Sequence, residues 1–226
     1  MNVLFMAFTS GVRAAHATGL GIVLFLLLSA CHSGTSAQAP PDALVAFRTE
    51  MLRFWGSPQQ MCFAFNRRGE VVSLTIEGTS MSALPAALSR FQQLEELHLS
   101  GTRLPGVPDL RHFPRLRLLS IDNTDFGGPV HLKNLPPSLN TLYLERDHIT
   151  DVLVDDTLPN LTHLGLKQHL MKGINGTFCK MPQLEFLDFS SGCCFSHSQQ
   201  QERMQAAQLI LCQKEVYVNA SSGYMD

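Results

Sequence analysis

Cys193-Cys194-Phe195-Ser196-His197 places two thiols and an imidazole within five consecutive residues. Thiolate and imidazole are zinc ligands, so Cys193, Cys194 and His197 raise the reading of a metal-binding or enzyme-regulating site. The remaining cysteines argue for different chemistry. Of six, Cys31 belongs to an N-terminal apolar stretch, which leaves Cys62, Cys179, Cys193, Cys194 and Cys212. In an exported chain such cysteines pair. Cys179, Cys193, Cys194 and Cys212 therefore read as disulfide candidates, with connectivity left open, and His197 as a solvated side chain. Cys62 stands far from them in the chain and reads as a small buried apolar residue or as a thiol free for an intermolecular bond.

Motifs for other chemistry are absent. There is no phosphate-cradling Gly-rich loop, no H-E-x-x-H and no G-x-S-x-G. The nine histidines are scattered. His98 and His163 are expected on one sheet face, but several strands apart and in no triad. No catalytic residue, metal or cofactor is assigned, and the chain is read as non-enzymatic. Asn160, Asn175 and Asn219 each begin an N-x-S/T sequon; they fall in expected turns or the C-terminal tail, where glycan acceptors must lie.

The elements that would carry these residues announce themselves by repetition. "VVSLTIEGTSM", "LEELHLSGTRL", "LRLLSIDNTDF", "LNTLYLERDHI", "LTHLGLKQHLM" and "LEFLDFSSGCC" begin at residues 71, 94, 116, 139, 161 and 184, in steps of 22 or 23. Within each copy apolar residues occupy the first, fourth, sixth and eleventh positions. Alternation at the fourth and sixth positions suits a short strand with inward side chains, and the eleventh residue turns inward again after a corner. One copy cannot bury its own apolar edge, so copies must stack. Proline precedes the leading leucine by two residues at Pro114, Pro137, Pro159 and Pro182. Its fixed φ suggests an extended approach to each strand. Leu110 with Phe113, and Phe178 with Met181, are expected to fill the core from the opposite side, in short helical turns and extended segments.

This pattern resembles the leucine-rich repeat family, L-x-x-L-x-L-x-x-N/C-x-L, over roughly residues 71–194. The resemblance implies an α/β solenoid with a concave parallel β-sheet, a helical N-terminal cap and a C-terminal cap. It also implies a side-chain ladder at the ninth position, occupied here by Thr79, Thr102, Thr124, Asp147, His169 and Gly192. Threonine and aspartate can bond nearby main chain; His169 and Gly192 suit this less, so the stack should loosen towards its C-terminal end. A helix begun at Asp42, then Trp55 with Gly56 able to end the helix, then Cys62 and a strand, resembles the N-terminal cap of extracellular members, although those usually carry a cysteine pair. Gln199 to Gln213 reads as a helix and Val216 to Val218 as a strand of the opposite cap.

The domain reading is thus 1–37 signal segment, 38–70 N-terminal cap, 71–194 six repeats, and 195–226 C-terminal cap and tail. Leu20 to Ala30 is an apolar run of signal-peptide length, and Thr35-Ser36-Ala37 offers a cleavage site before Gln38. A start at Met6, a retained anchor, and a bacterial lipobox acylated at Cys31 stay open beside it. All of these export the chain. A net charge of −2 with scattered Lys and Arg offers no basic stripe for nucleic acid. A membrane would be met only through a retained N-terminal segment or a lipid anchor.

The recognition surface then falls on residues that point away from the core in each strand. The candidates are Thr75, Glu96 and His98, then Leu118, Ser120 and Asp122. They continue as Tyr143 and Glu145, His163 and Lys167, and Phe186 and Asp188. Tyr143, near Leu118 and Phe186, forms an aromatic and apolar anchor ringed by acids, of the kind protein interfaces favour. The expected partner is a protein or glycan on another molecule or cell. "EGTSM" and "SGTRL" resemble turns of the leucine-rich surface antigens of kinetoplastid parasites and, more distantly, plant extracellular receptor domains. That resemblance implies a secreted or cell-surface role in adhesion, with a bacterial lipoprotein of structural or adhesive role as the alternative.

Overall fold

The structure, a computed structural model, describes residues 32–33, 42–56, 58–167, 178–188 and 217–219, all within the compact unit Cys31–Asp226. Each repeated segment makes one strand and one coil of a solenoid. The strands are β3 (Val71–Glu77), β4 (Glu96–Ser100), β5 (Leu118–Asp122), β7 (Thr141–Glu145), β9 (His163–Gly165) and β10 (Phe186–Asp188). They pair in parallel and in register, so that Leu74, Leu97, Leu119, Leu142, Leu164 and Leu187 stack in one row. Each of these six leucines has no solvent exposure. Full burial of one such side chain stabilises by about 1.5–3 kcal/mol, and the row is continuous because every coil repeats it.

At the N-terminal end β1 (His32–Ser33) runs parallel to β2 (Gln60–Phe65), and β2 runs antiparallel to β3. Helix α1 (Asp42–Phe54) lays Leu44, Phe47 and Met51 inward. The Phe47 ring meets Phe63 at 6.1 Å and Phe91 at 5.4 Å between centroids. The Glu50 carboxylate accepts from Ala86 N and Ala87 N, both at 2.8 Å, tying the helix to the 3-10 turn Ala86–Arg90. At the other end β11 (Tyr217–Asn219) pairs with β10. Of the expected strand Val216 to Val218, Tyr217 and Val218 lie in β11 and Val216 lies outside the described residues; Asn219 lies in the strand, not in a tail. The expected helix Gln199 to Gln213 lies outside the described residues.

One sequence expectation changes. The Pro-x-Leu segments are tight turns, not extended approaches: Leu116 N donates to Phe113 O and Leu184 N to Met181 O, with proline second in a four-residue turn, where its φ is already correct. The side opposite the main sheet carries the expected short helical turns and extended segments, and two of the latter pair. Besides the 3-10 turns Ala86–Arg90 and Phe178–Lys180, β6 (Pro129–Leu132) and β8 (Asp151–Val154) form a parallel two-stranded sheet. Val130, Leu132, Val152 and Val154 point into the core there. The Leu110, Phe113 and Met181 side chains are buried as expected.

The first four coils turn their corners with a left-handed residue just after the strand: Gly78, Gly101, Asn123 and Arg146, at φ between 52° and 62°. Glycine and asparagine suit that region; arginine is uncommon in it. The next residue in each coil is buried and polar: Thr79, Thr102, Thr124 and Asp147. Thr102 and Thr124 hydroxyls meet at 3.0 Å, and Thr124 N donates to Asp147 Oδ1 at 2.6 Å. This ladder links the coils of Thr102, Thr124 and Asp147 through the ninth position, while the Thr79 hydroxyl has no hydrogen-bond partner among the described residues; His169 and Gly192 lie outside the described residues.

Candidate functional site

Parallel in-register pairing converts the scattered outward residues into three rows on one open sheet face. One row runs Glu96, Leu118, Thr141, His163, Phe186. The middle row runs Thr75, His98, Ser120, Tyr143, Gly165, Asp188. The third runs Glu77, Ser100, Asp122, Glu145. Most of these side chains are half-buried, as expected of neighbours about 4.8 Å apart across a sheet.

Tyr143 does not stand clear of the face. A Cβ placed on Gly165 would fall inside contact distance of Tyr143 Cδ1, so the ring lies over the next strand in the space that glycine leaves. The His163 ring packs against Phe186 at 5.7 Å, and Thr162 Oγ1 lies 2.9 Å from His163 Nδ1. His98 lies 3.9 Å from Glu96. Between His98 and His163 stand β5 and β7, so the two imidazoles are not brought together.

Charges beside Tyr143 are paired. Lys167 Nζ reaches Glu145 at 3.6 Å and Asp188 at 3.4 Å. These two carboxylates hold its ammonium above the ordinary value against the opposing effect of burial. Asp188 holds its expected place in the middle row and is buried there. Arg146, from the corner after β7, clasps Asp122 with both Nε and Nη2, and that contact raises the guanidinium pKa. Ser100 Oγ lies 3.4 Å from the same carboxylate. Thr75, Glu77, His98, Ser100, Ser120 and Asp122 line a shallow depression of about 270 Å³.

Two members of the face were not legible in the sequence. Arg146 occupies the corner position that is Gly or Asn in earlier coils, and that departure was its only signal. For Cys62 the sequence leaves open a buried apolar place or a thiol free for an intermolecular bond. It is half-buried, a free thiol, and pairs in register with Thr75, so it extends the middle row while Phe63 takes the inward place. Gln60 Nε2 donates to its sulfur at 3.3 Å.

Other predicted positions fall elsewhere. Asn160 is exposed in the turn before β9, and its amide donates to Pro137 O at 2.8 Å. Cys179 lies in the turn Phe178–Lys180. Cys31, Asn175, Cys193, Cys194, His197 and Cys212 lie outside the described residues. Among those described, no group of three or more His, Cys, Asp or Glu side chains could hold a metal ion, and no helix is long and apolar enough to cross a membrane. No protein-family model, curated protein or solved structure matches this chain.

Proposed function

We propose that this is a non-enzymatic, exported leucine-rich repeat protein that recognises a protein or glycan on another molecule or cell through the open face of its main sheet. The supporting observation is the Tyr143 ring laid over Gly165, flanked by half-buried Leu118 and by the charged groups Glu145, Lys167, Asp122 and Arg146. A rigid aromatic with paired charges around it offers contact area at low ordering cost and a polar rim that fixes orientation. The repeat spacing and the ninth-position ladder support the family reading, and the apolar run Leu20 to Ala30 supports export. The protein purified from its native source, begun at Gln38 and so without β1, and glycosylated at the exposed Asn160, is the expected form.

The test is an array of secreted and cell-surface proteins and glycans probed with that material, after mass spectrometry of its N-terminus and of Asn160. Ligands are expected whose binding is lost in Leu118→Asp and Tyr143→Ala while the melting temperature is nearly kept. Ligands bound equally by both variants would overturn the face assignment. An acylated Cys31 would replace the secreted form by a lipid-tethered one.

A further inference from the structure

The two-stranded sheet has an open edge. Thr150 N donates to Gly128 O and Asp155 N to Leu132 O, so the even-numbered residues of β6 bond towards β8. In a parallel pair the residues between them direct N–H and C=O to the other side. On β6 these are Pro129 and His131, and no hydrogen bond of the described residues uses the His131 N–H or C=O.

What lies on that side is a cleft. The preceding coil would have to supply the next strand, but it reads Pro105-Gly106-Val107-Pro108, and its prolines have no N–H for a ladder. The coils rejoin only at Leu110, whose N–H donates to Asn134 O at 2.9 Å. Between them is a groove of about 530 Å³ lined by both coils and by residues 82–84. Leu84 and Val107 are only partly buried against the core, so the groove presents apolar surface beside unused backbone groups. An exposed strand edge is a template for another extended chain.

The rim selects the charge of that chain. Asp109 is held by Arg111 at 2.7 Å and Asp155 by His131 at 2.8 Å. Lys133 is exposed and reaches no carboxylate among the described residues. His131 carries charge only when protonated, and Asp155 lies outside the groove lining, so among the lining residues the charge without an opposite partner is that of Lys133.

We propose that the groove beside β6 binds an extended segment of a partner protein by strand addition, pairing with the His131 main chain. Alternate side chains of that segment are apolar, seated on Leu84 and Val107, and an acidic residue meets Lys133. This surface is separate from the open face of the main sheet and does not depend on the function proposed for that face.

The probe is a phage-displayed library of random linear peptides selected on the full chain. Selected peptides should carry an acid beside alternating apolar residues and bind His131→Ala as they bind the unaltered chain, since its N–H remains. His131→Pro removes that N–H without touching the ladder to β8 and should weaken binding roughly tenfold or more, the worth of a hydrogen bond in a desolvated site. Lys133→Glu should reverse the preference for acid. Should His131→Pro misfold, methylating alternate peptide nitrogens reads the same ladder from the other partner, and only one of the two registers should lose affinity. Recovery of no peptide, or equal binding of both His131 variants and of both methylated registers, overturns the proposal. So does self-association of the chain that is abolished by His131→Pro with no peptide bound, because the occupant would then be a second copy.

Discussion

Asp147 is fully buried; its Oδ1 accepts from Thr124 N, while Oδ2 has no hydrogen-bond partner among the described residues. Burial pushes its carboxyl from the ordinary 3.8 up to about 7; the Asp122 and Glu145 charges add to the rise, while Thr124 N and Arg146 oppose it. The folded state therefore holds this proton more tightly than the unfolded chain does. Its contribution favours folding most below the ordinary value and is lost as pH rises through about 7. The free energy of urea unfolding should fall across that window, by an amount on the order of a few kcal/mol. Asp147→Asn keeps the acceptor for Thr124 and removes the charge, so its midpoint should be flatter with pH and higher at neutrality. An identical slope in both proteins would show that another group titrates. The sequence placed Asp147 in the ladder row; its loss of solvation could only be seen once neighbouring coils had closed over it.

At the scale of the element, alternation along a strand decides which side chains are core and which are available. Leu142 has no exposure, whereas Tyr143, next in β7, is half-buried on the other face. Leu142→Ala should cost about 2–5 kcal/mol in chemical denaturation, and Tyr143→Ala less than about 1 kcal/mol, as a change away from the core. Reversed costs would mean that the strand faces are exchanged. The alternation was legible because the fourth and sixth positions of every copy are apolar. Elsewhere local pattern was a poorer guide. Pro114 and its counterparts suit an extended segment or a turn equally well through their fixed φ, and the tight return of the chain between strands selected the turn. Extended segments on the opposite side were legible, but not the pairing of β6 with β8, because Val130 and Leu132, with Val152 and Val154, form runs too short to announce a sheet unless the neighbouring coil supplies the partner.

At the scale of the molecule, stacking makes stability a sum over coils and the interfaces between nearest neighbours. Leu119 and Leu142 sit in register on adjacent strands, whereas Leu97 and Leu164 are separated by β5 and β7. Leu→Val changes, each costing about 1 kcal/mol, should therefore add within about 0.5 kcal/mol for the Leu97 and Leu164 pair but depart from additivity for Leu119 with Leu142. Equal coupling in the two pairs, measured by double-mutant cycles, would contradict a nearest-neighbour stack. The sequence alone determined that this chain stacks coils, where each coil begins, and which leucines fill the core. That information is local: a strand period of two and a repeat of 22 or 23 residues oblige each copy to bury the same edge. Tertiary structure decided the rest, because surface chemistry here arises from residues about 22 positions apart meeting across coils. It put Cys62 on the open face, sank Asp188 beneath Lys167, laid Tyr143 over Gly165 and left the β6 edge beside a groove that the prolines of the preceding coil cannot close.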